Sequence, residues 1–170
     1  MEWSLEIVES ESATGLLAVQ ELWRNYWRAL GLPPDFQGFE EESRSLPGKY
    51  APPAGRLLLL RIDDHPAGTV AFRPLGHDAC EAKRLYVHTA YRRCGVARSL
   101  LKELIKEARL SGYRAIYGDT LPTMDSALDL YRNIGFKEIK PYSNNPTPGA
   151  IYLRLALLIS TLPSKADLMV

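Results

Sequence analysis

The chain has 170 residues, with 21 lysines and arginines against 20 aspartates and glutamates, and 46% of its residues are hydrophobic. That length and apolar content suit one α/β domain with a substantial core, and the balanced charge argues against a nucleic-acid-binding protein, which usually carries a basic excess. Two cysteines without a partner pattern, and no long apolar stretch or basic-apolar leader, predict a soluble cytoplasmic protein without disulfides or a membrane partner.

The first half of the chain begins with a strand and a helix. Residues 5–8 alternate as a short strand, and residues 12–30 have helical spacing with an aromatic stripe that we expect to be buried. A second, acidic helix is predicted over residues 36–46, before a loop rich in proline and glycine. Strands at 57–62 and 67–73 then form a hairpin, with the turn at residues 63–66.

The second half is organised around a strand, a basic turn and a helix. Residues 80–88 alternate as a strand, residues 91–97 form a basic turn that contains a glycine, and apolar positions from 97 to 108 recur at helical spacing. Because that helix connects strand 80–88 to a strand at 115–120, we expect these two strands to run parallel.

The chain then continues with a helix over 124–133 and strands at 136–139 and 150–158. Beyond them no periodicity remains. We therefore predict a single domain over residues 1–158 and a loosely ordered tail over residues 159–170.

Two segments of this chain resemble motifs of the GNAT acyl-CoA-dependent N-acyltransferases. Residues 92–97 read R-R-C-G-V-A, which is similar to the family's R/Q-x-x-G-x-G/A loop, and residues 127–136 read A-L-D-L-Y-R-N-I-G-F, which is similar to A-x-x-L-Y-x-x-x-G-F. The resemblance covers residues 57–158. It implies an α+β fold with a mixed, mostly antiparallel central sheet flanked by helices and splayed at the parallel strand pair 80–88/115–120.

The basic turn before the long helix suits an anion even without that resemblance. A helix N-terminus has unpaired N–H groups and a partial positive charge, Gly95 lets backbone approach a phosphate closely, and Arg92, Arg93 and Arg98 add formal charge. Ordinary surface charge is the alternative explanation of these arginines. The resemblance implies acetyl-CoA as cosubstrate. Three scattered histidines and two cysteines give no metal-ligand spacing, so we expect no metal. The cofactor-binding residues that we predict are Leu85, Tyr86, Val87, Arg92, Arg93, Cys94, Gly95, Val96, Ala97 and Arg98.

The resemblance also implies the reaction: transfer of an acetyl group from acetyl-CoA to a primary amine by direct attack in a ternary complex. Tyr131 matches the family's general acid, which protonates the departing thiolate; a core tyrosine with a satisfied hydroxyl is the alternative. The N–H groups of the central strand near Tyr86 and Val87 are candidates to polarise the thioester carbonyl. Where the family often has an asparagine, this chain has Met124, so Thr120, Thr123 or Ser126 would have to supply that polar contact.

Glu81 at the start of the central strand is the candidate general base, acting directly or through water. A structural ion pair with Lys83 or Arg84 is the alternative. Strand alternation places Glu81 on the same face as residues 83, 85 and 87, opposite residues 84 and 86.

The acceptor is the least determined part of the prediction. Arg84, Tyr142 and Asn145 are candidate substrate-binding residues, and a guanidinium in a cleft can hold a carboxylate through two hydrogen bonds, which favours a small, amino-acid-like amine. An Arg84 paired with Glu81 or Asp119 is the alternative. An acyl-CoA sensor or interaction module without turnover, a protein-lysine acetyltransferase and a homodimer all remain open.

Overall fold

The structure is a computed structural model that describes residues 1–33, 38–145 and 147–158. The predicted tail at 159–170 and the start of the predicted acidic helix, at residues 36 and 37, lie outside the described residues. Among the described residues, seven strands form one mixed sheet in the order β1-β2-β3-β4-β5-β7-β6. These strands are β1 (Trp3–Ile7), β2 (Arg56–Ile62), β3 (His65–Leu75), β4 (Ala79–Val87), β5 (Ala115–Thr120), β6 (Lys137–Ile139) and β7 (Ile151–Ala156).

Helices cover both faces of this sheet. Helices α1 (Ala13–Leu30) and α2 (Phe39–Arg44) pack on one face, and α3 (Val96–Leu110) and α4 (Asp125–Ile134) pack on the other. The aromatic stripe of α1 is buried as predicted, with Trp23 fully enclosed and Trp27 nearly so. The mixed α+β architecture expected from the sequence is therefore confirmed. No helix in the described part of the chain is long and apolar enough to cross a membrane.

The β2–β3 hairpin has a tighter turn than the sequence predicts. His65 and Pro66 belong to β3 and pair with Ile62 and Arg61, so the turn consists of Asp63 and Asp64 alone. Both aspartates have positive φ, at 48° and 65°, which is the requirement of a two-residue type I′ turn. The predicted four-residue turn is wrong because aspartate tolerates this left-handed conformation without glycine.

The sheet divides where its one parallel pair ends. Strands β4 and β5 pair only through Ala79–Ala115, Cys80–Ile116 and Glu81–Tyr117. Beyond Glu81, β4 continues to Val87 with no pairing to β5 among the described residues. The two strands therefore diverge, and the last part of β4 presents a free backbone edge.

A β-bulge in β4 changes which side chains share a face. The register against β3 shifts between Thr69, which pairs with Tyr86, and Ala71, which pairs with Lys83. Arg84 takes the extra position with a φ of 61°. Because the bulge reverses the alternation, Tyr86 joins the α1 side whereas residues 85 and 87 pack on the α3 side. The predicted grouping of residues 81, 83, 85 and 87 on one face is therefore wrong.

Candidate active site

A cavity lies where β4 and β5 diverge, and it is the centre of the candidate site. Its walls come from the C-terminal half of α1, the bulge of β4, the end of β5, α4 and the loop before β7. The polar and aromatic groups among its lining residues are Tyr26, Trp27, Lys83, Arg84, Asp119, Thr120, Tyr131, Asn145 and Thr147. Two elements far apart in sequence, β4 and α4, thus contribute to one enclosed space.

The basic loop leads from the end of β4 into α3. Gly95 is the residue before the helix, with a φ of 88°, and no side chain caps the first N–H groups of α3. Arg93 is also left-handed, with a φ of 62°. Successive left-handed and helical residues point neighbouring N–H groups in one direction, which is the geometry of an anion-binding backbone nest.

The loop's side chains divide into a buried anchor and an exposed charged rim. Val96 is buried in the core beneath α3, whereas Arg92, Arg93, Cys94 and Arg98 are exposed. None of these arginines has a carboxylate partner among the described residues. Arg92 donates from Nε to the Val87 carbonyl at 3.2 Å. The loop therefore presents positive charge and N–H groups at the free end of β4.

Tyr131 projects from α4 into the cavity. Its ring is partly buried and packs edge to face on Phe136 at a centroid distance of 5.3 Å. Its hydroxyl has no hydrogen-bond partner within the described ranges. A phenol is protonated at neutral pH and can donate a proton. Burial, and then the nearby Tyr26 and Asp119, raise the pKa of Tyr131 above its ordinary value.

Glu81 lies outside the cavity in a closed network of ion pairs. It is 1% exposed, and its Oε1 accepts from Arg73 at 2.8 and 2.9 Å. Its Oε2 accepts from the Tyr142 hydroxyl at 2.7 Å and lies 3.7 Å from Lys83 Nζ. The sequence suggested an ion pair with Lys83 or Arg84, and the structure provides Lys83 and adds Arg73. The role of Glu81 as a base stays a prediction.

Asp119, at the end of β5, is the carboxylate that lines the cavity with Tyr131. Its Oδ1 lies 3.3 Å from Lys83 Nζ, and its Oδ2 accepts from Asn145 Nδ2 at 2.8 Å. The sequence analysis missed it as a candidate catalytic group. An acidic residue at the carboxyl end of a strand next to the central one was the signal available, because ligands bind at such strand ends.

Arg84 has a partner that the sequence did not indicate. Its Nη2 lies 2.6 Å from Oε2 of Glu42 on α2, and within the described ranges Arg84 forms no ion pair with Glu81 or Asp119. The guanidinium carbon lies 5.6 to 5.8 Å from the ring centroids of Trp23, Trp27 and Phe39. The Nε atom is buried without a hydrogen-bond partner in the described part of the chain.

The loop before β7 closes the site from the β5 side. The Tyr142 hydroxyl donates a hydrogen bond to Glu81, and the Tyr142 ring packs edge to face on Tyr117 and Tyr152. Asn145 holds Asp119 and lines the cavity, whereas Tyr142 does not line it. Of the two predicted substrate-binding residues in this loop, only Asn145 faces the cavity.

Met124 immediately precedes α4 and lines the cavity. Of the three residues considered as substitutes for the family's asparagine, only Thr120 lines the cavity as well. Among these three residues, Thr120 is therefore the candidate to supply the polar contact for which the family often has an asparagine.

Comparisons with known proteins identify relatives of this chain. The model of the GNAT acetyltransferase family matches residues 16–136. An uncharacterized N-acetyltransferase of Schizosaccharomyces pombe is 37% identical over 139 residues, which cover 80% of this chain and 85% of that protein. An uncharacterized N-acetyltransferase of Dictyostelium discoideum is 26% identical over 82% of this chain and 93% of its own length.

Solved structures show the same fold at low sequence identity. An acetyltransferase from Streptococcus agalactiae superposes with a TM-score of 0.77 at 16% identity, covering 91% of this chain and 98% of that one. An aminoglycoside 6'-N-acetyltransferase complexed with coenzyme A has a TM-score of 0.69 at 16% identity, covering 91% of this chain and 97% of that one. The chain belongs to the GNAT acetyltransferase family and is an acyl-CoA N-acyltransferase.

Proposed function

We propose that this enzyme transfers the acetyl group of acetyl-CoA to the primary amine of a small molecule, by direct attack in a ternary complex. The observation that carries the proposal is the joint position of the Tyr131 phenol and the Asp119 carboxylate in one cavity at the split of the sheet. The cavity is bounded by α1, α4 and the loop before β7, and walls on these sides favour a small acceptor over a lysine on a folded protein.

The residues at the start of α3 fit the pyrophosphate of acetyl-CoA. A Cβ built on Gly95 would have no atom within 4 Å, so the space in front of the uncapped helix is open. Arg92, Arg93 and Arg98 in this segment are exposed, and no carboxylate of the described residues pairs with them. The residues of β4 that we propose for the pantetheine arm, Leu85–Val87, present the free strand edge to which an extended chain can add.

The chain's own groups then handle two protons. A free alkylammonium has a reference pKa of about 10.4 and must lose a proton before it can attack. We propose that Asp119 accepts this proton, directly or through water, while the amine nitrogen bonds to the acetyl carbon and the carbon–sulfur bond breaks. Tyr131 donates its proton to the departing sulfur, and the second proton that the nitrogen loses as it becomes an amide returns to the Tyr131 phenolate, while Asp119 releases the first proton to solvent. Acetyl-CoA supplies the activated thioester, and the β4 N–H groups near Tyr86 would stabilise its carbonyl oxygen.

We place the base at Asp119 because Glu81 is enclosed by Arg73, Lys83 and Tyr142 and does not line the cavity. Asp119→Asn should lower kcat by about 10²- to 10⁴-fold. Glu81→Gln should cause no such loss of kcat in whatever fraction of the protein folds. The reverse result would assign the base to Glu81.

A thiol-release assay with acetyl-CoA and a panel of small amines, polyamines and lysine peptides tests the function. We expect acceptor-dependent release of CoA with small primary amines, and mass spectrometry should show an N-acetyl product. Binding of acetyl-CoA without release for any acceptor would make the protein a sensor, and release with peptides alone would make it a protein-lysine acetyltransferase.

We also propose a cytoplasmic location. Both cysteines of the chain are free, one buried and one exposed, which suits a reducing compartment. Cell fractionation with an epitope-tagged protein tests this, and recovery from a secreted or membrane fraction would contradict it.

A further inference from the structure

The two cations that line the cavity are already paired with carboxylates of the chain itself. Lys83 Nζ lies 3.3 Å from Asp119 and 3.7 Å from Glu81. Arg84 lies 2.6 Å from Glu42. Neither ammonium nor guanidinium therefore carries an uncompensated charge for an incoming carboxylate.

Glu42 is held firmly in this position. Its side chain is 10% exposed, and besides Arg84 it accepts a hydrogen bond from the Tyr50 hydroxyl and lies 3.7 Å from Lys49 Nζ. Burial by itself raises the pKa of Glu42, but the charge and hydrogen bond of Arg84, with the Tyr50 hydrogen bond, outweigh it, so the net pKa is lowered. Glu42 therefore remains an anion at neutral pH.

Arg84 cannot turn easily to a different partner. The rings of Trp23, Trp27 and Phe39 surround its guanidinium within 6 Å, where their faces attract the positive charge. A carboxylate that approached Arg84 would meet the negative charge of Glu42 at the same group, and two carboxylates that share one site repel each other.

Part of the wall on this side of the cavity consists of aromatic and aliphatic side chains. Tyr26 and Trp27 on the last turns of α1, with Leu30 and Leu32 beyond them, form a surface that suits an aromatic or alkyl group. Such a wall gains free energy by covering apolar ligand area, and the charges of Lys83 and Arg84 are already compensated by carboxylates of the chain.

We infer that the acceptor is a primary amine on an aromatic or alkyl body without a carboxylate, and that Glu42 determines this specificity by occupying Arg84. This inference rests on the proposed function and replaces the amino-acid-like acceptor expected from the sequence. According to this inference Arg84 does not bind a carboxylate of the acceptor, because the carboxylate of Glu42 already occupies its guanidinium.

Three probes distinguish acceptors without a carboxylate from those with one: 2-phenylethylamine, phenylalaninamide and phenylalanine. We expect wild-type kcat/KM for phenylalanine to be about 10- to 100-fold lower than for either of the others, the range expected when a charged hydrogen-bonding contact is unavailable. 2-Phenylethylamine is the more basic amine, so its better use could not come from easier deprotonation. Calorimetric titration of each probe into the CoA-bound protein measures the binding affinities, which should follow the same order independently of turnover.

Glu42→Gln provides the decisive variant. The amide keeps the size of the side chain and an oxygen that can accept from Arg84, but it removes the negative charge. The ratio of phenylalanine to phenylalaninamide use should rise about tenfold or more, and comparing this ratio between variant and wild type cancels the different basicity of the two amines. Glu41→Gln, on the exposed side of the same helix, makes the same charge change and should leave the ratio unaltered.

Each outcome decides the inference. Equal wild-type use of phenylalanine and phenylalaninamide, or an unchanged ratio in folded Glu42→Gln, overturns it. If Glu42→Gln fails to fold, the wild-type order of the three probes decides alone. Binding in the expected order without CoA release supports the inference and refutes the proposed function. Failure of all three probes to bind overturns the inference, while turnover of some other amine would leave the proposed function standing.

Discussion

Replacing Gly95 by alanine tests whether the loop before α3 binds acetyl-CoA. The residue has a φ of 88°, a left-handed conformation that costs a residue with a Cβ about 1–2 kcal/mol. A Cβ at this position meets no atom within 4 Å, so the substitution acts through backbone conformation and not through a clash. The free loop of the variant should therefore relax away from the conformation that presents its N–H groups.

The expected loss of affinity follows from that cost. If binding must restore the left-handed conformation, 1–2 kcal/mol corresponds to a rise in Kd of about 5- to 30-fold. Gly112, at the opposite end of α3, provides a matched control: its φ is 85° and a Cβ there also meets no atom within 4 Å. Gly112→Ala should lower the free energy of unfolding by a similar amount without affecting acetyl-CoA binding.

Isothermal titration with acetyl-CoA and urea unfolding, applied to both variants, separate the two effects. We expect Gly112→Ala to lose stability but not affinity, and Gly95→Ala to lose affinity with a smaller loss of stability, because its loop relaxes in the free protein. Wild-type affinity in folded Gly95→Ala, or an equal loss in Gly112→Ala, would refute the assignment of this loop to the pyrophosphate.

Further predictions concern the proposed acid, the cysteines and the buried ion pair. Tyr131→Phe should lower kcat by about 10²- to 10⁴-fold in steady-state assays, with acetyl-CoA affinity and stability nearly unchanged because its hydroxyl has no partner within the described ranges; wild-type turnover would remove it as the acid. Burial raises the pKa of Cys80 to about 12, so iodoacetamide should alkylate exposed Cys94 alone, and acetyl-CoA should slow that reaction; labelling that acetyl-CoA leaves unchanged would place the cofactor elsewhere. The lowered pKa of Glu42 means that its contribution to stability is present above its ordinary value of 4.5 and is lost as the pH falls through the lower folded value. The urea midpoint of Glu42→Gln should accordingly fall less than that of the wild type between pH 6 and pH 3, and parallel acid limbs would contradict this.

The sequence by itself determined the elements and the family. Alternation and helical spacing are local properties of the chain, so the strand at 80–88, the helix after the basic turn and the parallel strand at 115–120 could be predicted within a few residues. The resemblance of residues 92–97 and 127–136 to two family motifs indicated the fold. The helix between strands 80–88 and 115–120 separately predicted that these strands run parallel.

The details of the site depended on the tertiary structure. The bulge at Arg84 contains no glycine, so the sequence does not indicate it. It places Tyr86 on the opposite face of the sheet from the one that alternation predicts. The partnership of Arg84 with Glu42 joins residues 42 positions apart, and that of Lys83 with Asp119 joins residues 36 positions apart. No local pattern encodes such contacts, because the packing of separate elements determines which charged side chains come together as a pair.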